Sequence, residues 1–234
     1  MIEVKNLVKD YGKVVGANNV SLTARPGELT VLLGENGAGK STTIKSIIGL
    51  LEFQGNIEIC GYDNKSVEAK KAFGYIPETP ILYDLLTIDE HIEFIGKSYR
   101  LDDYEIVSNK YLDIFHLQEK RKTVARELSK GMRQKLSMVL ALMLEPQALL
   151  VDEPMMGLDP KSIEETLQIL VALKKENVSI LMSTHIIDMV NEVWDRAYIM
   201  QRGVVVKEIA RAELDGRSLK DIYFEIGDQN ESTL

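Results

Sequence analysis

Alternation of apolar and polar residues opens the chain. Residues 2–7, Ile-Glu-Val-Lys-Asn-Leu, alternate as a half-buried strand does, residues 18–24 offer a second strand, and Tyr11-Gly12 lies in the turn between them. Residues 56–60 alternate again and are closed by Gly61-Tyr62-Asp63-Asn64, so a small antiparallel sheet is expected. Other runs are apolar without alternation: residues 29–33, 148–152 and 178–183, each short enough for a strand covered on both faces. Residues 73–77 read as a short strand that Pro77 stops. Residues 43–51 show helical spacing of apolar positions. From about residue 87 to 145 only helical periods appear. Thr87-Ile88-Asp89-Glu90 has capping-box form, Ile88, Ile92 and Ile95 follow on one face, and further helices are expected at 103–115 and 129–144. The strand pattern then returns, with helices at 161–176 and from 184 to about 193. A hairpin follows over 197–200 and 204–209, and then a tail from 211 with a short helix that frays from Asp228. The pattern predicts one α/β unit over 1–234: a core built from 1–86 and 146–210, a helical lobe inserted at 87–145, and a tail at 211–234.

Composition narrows the class. The 234 residues are 45% hydrophobic and 27% charged with a net charge of −8, which suits a globular protein and gives no footing for nucleic acid as a partner. The single cysteine, Cys60, forms no internal disulfide, and a reducing cytosol fits. The first residues lack a basic start followed by an apolar core, and no run approaches the roughly 18 apolar residues of a bilayer-spanning helix. If the protein works at a membrane, another chain is expected to span it.

The chemistry centres on Gly34-Glu35-Asn36-Gly37-Ala38-Gly39-Lys40-Ser41-Thr42, which fits G-x-x-x-x-G-K-[ST] between a predicted strand and a predicted helix. Free N–H groups at such a helix start point at one spot and the helix dipole adds partial positive charge, so an anion is held there. The glycines keep Cβ atoms out of the way. Lys40 is expected to reach the β- and γ-phosphates of a nucleotide, and the Ser41 hydroxyl to ligate Mg²⁺. A P-loop NTPase core of RecA-like type follows as the expected fold. Asp152 and Glu153 close the strand at 148–152, at the sheet end where α/β proteins bind ligands. Asp152 is placed to hold Mg²⁺ and Glu153 to take a proton from an attacking water. Ser129 reads as the cap of the following helix, with an anion site as the alternative.

The order of phosphate loop, Leu128-Ser129-Lys130-Gly131-Met132, strand-end Asp152-Glu153, Gly157-Leu158-Asp159 and His185 resembles the ATP-binding subunit of ABC transporters, from about residue 2 to 206. The resemblance implies Walker A at 34–42, Walker B with the catalytic glutamate at 149–153, the family signature at 128–132, the D-loop at 157–159 and the switch histidine at His185. It places Tyr11 against adenine. It further implies that two subunits sandwich two ATP molecules head to tail, each between one chain's phosphate loop and the other's signature. Ser129 and Gly131 would then touch the partner's ATP, Asp159 would sit at the junction, and His185 would meet the γ-phosphate. His91 and His116 match no motif and read as structural.

Two positions depart from the family pattern. Lys130 and Met132 replace the common Gly and Gln of the signature, a variant that resembles single-domain subunits of ABC-2-type exporters. Glu78 stands where the family has a Gln that reaches Mg²⁺; a carboxylate can still ligate the ion but brings extra negative charge. Residues 76–87 are similar to the Ecs-type ATPases. The resemblance implies Mg²⁺-dependent ATP hydrolysis in the cytoplasm, on the inner face of the cell membrane, against a separate multi-spanning subunit. Contact is expected near residues 78–83 through Leu82, Tyr83 and Leu85. All motifs for two working sites are present, which favours a homodimer over a heterodimer. A single-cassette soluble ATPase serving an assembly is the alternative.

Overall fold

The computed structural model describes residues 1–231. Six strands form the central sheet in the order β10-β9-β3-β8-β7-β6: β6 (Phe73–Ile76), β7 (Ala148–Asp152), β8 (Ser179–Thr184), β3 (Leu29–Leu33), β9 (Arg196–Gln201) and β10 (Val204–Ala210). All neighbours run parallel except β10, which returns antiparallel beside β9. The continuous apolar runs are explained by cover on both faces. Val31 and Leu33 of β3, Leu149 and Val151 of β7, and Ile180 and Met182 of β8 face one apolar cluster, while Leu32, Leu150 and Leu181 face a second. Each such side chain, fully buried, contributes about 1.5–3 kcal/mol.

The second cluster lies under the antiparallel sheet, order β2-β1-β4-β5, formed by β1 (Ile2–Asp10), β2 (Val15–Ala24), β4 (Gln54–Ile59) and β5 (Tyr62–Asp63). Helix α1 (Lys40–Ile47) is held in that cluster by Ile44 and Ile47. The helices α3 (Ile88–Tyr99), α4 (Tyr104–Ile114) and α5 (Lys130–Leu142) pack into the first cluster through Ile88, Ile92, Leu112 and Leu136. The capping box of α3 forms as its sequence foretells: Thr87 accepts from the Glu90 amide and Glu90 from the Thr87 amide. Helix α6 (Pro160–Lys175) lies on the same face, and α7 (Ile187–Val190) follows β8. Among the described residues no helix is long and apolar enough to cross a membrane.

Several elements differ from the sequence expectation. Helix α1 starts at Lys40 rather than 43 and ends at Ile47, because Gly49 turns the chain at φ +77. A six-residue helix, α2 (Val67–Ala72), capped by Ser66, was not expected. Helix α7 is only four residues. Helix α8 (Leu219–Glu231) does not fray at Asp228 but continues to Glu231; residues 232–234 lie outside the described residues. Leu219 and Ile222 sit in the main apolar cluster and Lys220 pairs with Asp188 of α7 at 2.9 Å, which anchors the helix. Leu82 also differs: it packs against the main cluster, while Ile81, Tyr83 and Leu85 stay exposed.

Candidate functional site

The parallel strands end on one side, and the phosphate loop sits there. β3 leads into residues 34–39 and α1 begins at Lys40 behind Gly39, whose φ of +105 only glycine adopts readily. A Cβ on Gly39 would stand 2.3 Å from the Gly16 carbonyl oxygen, so the loop is pressed against β2 to a distance only hydrogen permits. No side chain caps α1, which leaves its first amides directed at the loop's concavity.

Lys40 is buried. Its Nζ donates to the carbonyls of Gly34 (2.8 Å) and Glu35 (3.2 Å) and pairs with Glu153 Oε1 at 3.2 Å. Ser41 Oγ donates to Asp152 Oδ1 at 3.1 Å. Glu153 follows the last residue of β7 with φ +46, a left-handed conformation uncommon for a residue with a Cβ. Its other oxygen, Oε2, meets Nδ1 of His185 at 3.0 Å, which fits an N–H donated to the carboxylate. Glu153 is thus gripped between the phosphate-loop lysine and the strand-end histidine.

Glu78 lies just past Pro77, whose carbonyl accepts from buried Gln134 of α5 at 3.1 Å. Helix α5 and the Glu78 segment are therefore tied together. The Tyr75 hydroxyl is pushed up, first by burial and then by the negative charges of Asp152 and Glu78. A cavity of about 730 Å³ opens over these groups, lined by Lys40, Ser41, Glu78, Glu153 and His185, with Tyr11 at its mouth. Its volume is in the range of small-molecule sites. The Tyr11 hydroxyl stands 3.5 Å from Thr42 Oγ1, the residue is 53% exposed, and Lys9 Nζ lies over its ring at 5.0 Å from the centroid. Among the described residues no three His, Cys, Asp or Glu side chains form a metal cage. The hard oxygens of Ser41 and Asp152, side by side, fit a Mg²⁺ that takes its remaining ligands from phosphates and water.

The structure does not bring every expected residue here. Ser129, Gly131 and Asp159 do not line the cavity. Ser129 caps α5, accepting from the Met132 amide at 3.2 Å. Asp159 caps α6, accepting from the Ser162 amide and hydroxyl, and those bonds hold its carboxyl below the usual carboxylate range. A Cβ on Gly131 would lie 3.1 Å from the Gly157 carbonyl, so the signature and the turn before Asp159 touch within one chain.

Sequence reasoning missed Arg202, which lines the cavity from the β9–β10 turn; the Gly203 amide donates to the Ala38 carbonyl at 2.8 Å and holds that turn on the phosphate loop. Only the folded sheet makes them neighbours. It also passed over Ser183, although a hydroxyl ending an apolar buried strand was a visible signal. His91 is structural as read: it spans the Thr87 carbonyl (2.8 Å) and the Tyr83 amide (3.0 Å), and burial holds its pKa below the usual histidine value. His116 faces Glu165 at 3.1 Å, away from the cavity.

The family model described as ABC transporter matches residues 17–156. The ABC-type transporter ATP-binding protein EcsA of Bacillus subtilis is 35% identical over 97% of this chain and 96% of its own. A solved ATP-binding subunit of an ABC transporter superposes with a TM-score of 0.91 at 36% identity, covering 97% of this chain and 99% of that one. A dimeric ATP-binding cassette in a post-hydrolysis state, bound to ADP and Pi, superposes with a TM-score of 0.81 at 25% identity, covering 90% and 98%.

Proposed function

Because this chain belongs to the ABC transporter family, as a cassette that hydrolyses ATP to ADP and phosphate to energise transport, we propose that it works as a head-to-tail pair with a second copy of itself, on the cytoplasmic face of a separate membrane-spanning subunit. The observation that carries the pairing is the division of labour above. The cavity has the groups that bind a triphosphate and activate water, while Ser129, Gly131 and Asp159 stand on helix starts outside it.

Residue roles follow from position. The amides of residues 34–42 and Lys40 Nζ bind the phosphates, for which Lys40 exchanges its pairing with Glu153. Tyr11 stacks on adenine. Ser41 and Asp152 would hold Mg²⁺, with Glu78 nearby, and a divalent cation there would supply positive charge to offset that of the phosphates. Glu153 accepts the proton of a water whose oxygen bonds to the γ-phosphorus as the bond to ADP breaks. His185 holds the Glu153 carboxylate in aim. Ser129 and Gly131 of the second copy close over the γ-phosphate, and Asp159 lies between the two sites.

The test is complementation. Lys40→Ala and Ser129→Arg chains are each expected to be inactive alone. Mixed in equal amounts, half the dimers carry one intact site, so turnover should return to about a quarter of wild type if two copies associate at random and the sites act independently. No recovery on mixing, with mixed dimers demonstrated, would rule out the shared pocket.

Docking to the membrane subunit is assigned to the exposed side chains Ile81, Tyr83, Leu85 and Phe94. Tyr83 rests edge-on against Phe94 at 5.4 Å, and His91 fixes its backbone, so the apolar patch is held in shape before contact. Ile81→Asp with Leu85→Asp is expected to release most of the chain from membranes, while ATPase activity of the isolated protein stays within about twofold, since both side chains are exposed and line no part of the cavity. Fractionation of cell membranes reads the first effect; retention of the double variant in the membrane fraction would refute the assignment.

A further inference from the structure

We propose that Ser183 is a positioning residue for ATP hydrolysis: one hydroxyl that sets the Asp152 carboxylate and, at the same time, holds the Glu153 backbone in its left-handed turn. This rests on the roles given above to Asp152 and Glu153.

Ser183 lies on β8, opposite Asp152 in the parallel register, and is fully buried. Its Oγ donates to Asp152 Oδ1 at 2.5 Å and accepts from the Glu153 amide at 3.2 Å; the Ser183 carbonyl accepts from the same amide at 3.2 Å. A serine hydroxyl has a single proton to give. Here it goes to Asp152, and this fixes the direction of the lone pairs that receive Glu153 N–H. Asp152 Oδ1 receives a second donor, Ser41 Oγ at 3.1 Å. The carboxylate is thereby pinned from both sides, by the phosphate-loop helix and by β8.

Glu153 explains why the pin is needed. At φ +46 it occupies a conformation that persists only where its surroundings impose it. Two acceptors from Ser183 meet its amide, His185 Nδ1 meets its Oε2, and Lys40 faces its Oε1 as an ion pair at 3.2 Å without a hydrogen bond. Release of the Ser183 hydroxyl frees the Asp152 rotamer and loosens the turn that aims Glu153. Burial alone does not produce such bonds in this sheet. Ser179, on the same strand, and Thr30, on β3, are equally buried, and among the described residues their hydroxyls have no hydrogen-bond partner. Ser183 stands apart because it reaches both strand-end carboxylate residues at once.

Ser183→Ala is expected to lower kcat about tenfold or more, as loss of a hydrogen bond to a charged group does, with KM for ATP changed less than about twofold. The affinity for a fluorescent ADP analogue in EDTA should stay at wild type, while the Mg²⁺ concentration that half-saturates the effect of Mg²⁺ on that affinity rises several-fold. Ser183→Thr, which keeps the hydroxyl, should restore both. If crowding by its methyl group unfolds the threonine chain, Ser183→Cys decides, because it keeps the volume with only a weak donor. Turnover at the alanine level supports the proposal and wild-type turnover overturns it. A folded Ser183→Ala chain with kcat within twofold of wild type also overturns it, as does a loss that a well-folded threonine variant fails to restore. Glu153→Gln is run beside these. If it too turns over normally, the reading of Glu153 is at fault; if it is inactive while Ser183→Ala is not, only the role of Ser183 falls.

Discussion

Lys40→Ala is expected to weaken ATP binding about 100-fold and to bring hydrolysis to background, the loss expected when charge-assisted hydrogen bonds to phosphate are removed from a buried site. The geometry predicts a second, separate effect. Lys40 and Glu153 are both buried and 3.2 Å apart, and Lys40 also ties down the Gly34 and Glu35 carbonyls. Removing one partner of a buried pair typically costs about 3–5 kcal/mol when the remaining charge has no other support. Here His185 still meets the carboxylate at 3.0 Å, which puts the cost toward the low end. The variant should therefore melt below wild type even without nucleotide. Calorimetric titration of ATP reads the binding loss, and a thermal melt reads the stability loss. Unchanged ATP affinity in a folded Lys40→Ala chain would overturn the whole site.

Glu153→Gln should cut turnover by about 10³-fold, within the range expected when a general base is removed. Binding should respond in the opposite sense. The amide keeps the shape of the side chain, removes a negative charge beside the triphosphate, and releases Lys40 from its ion pair, so ATP affinity is expected to rise several-fold. ATP that is held but not hydrolysed keeps two chains together, and gel filtration in ATP and Mg²⁺ should show a dimer where wild type drifts back to monomer. Residual turnover above a tenth of wild type would remove Glu153 from its role.

Much of this was legible in the chain. The phosphate loop is contiguous in sequence, so one pattern locates six residues that line the cavity. The core strands announce themselves because both faces of the parallel sheet are covered, which turns alternation into continuous apolar runs. Helix α2 escaped because six residues make fewer than two turns, too few for a period to show. The tail misled because its polar end resembles a fraying terminus, while the Leu219 and Ile222 anchors lie a full turn or more earlier. Leu82 could not be told from Ile81 and Leu85 by composition; only the turn of the loop decides which of them points inward. Arg202 and Ser183 belong to the site through strand neighbours more than thirty residues away, and no local pattern carries such a pairing.

The contact between Gly131 and Gly157 sets a tolerance. The gap there is filled by hydrogen alone, and a single methyl group would already bear on the opposite carbonyl. In the proposed pair, Gly131 would belong to the roof over the neighbour's nucleotide and Gly157 to the wall between the two chambers. A shim of one carbon would shift roof and wall together, so a fault at this seam is shared by both chambers.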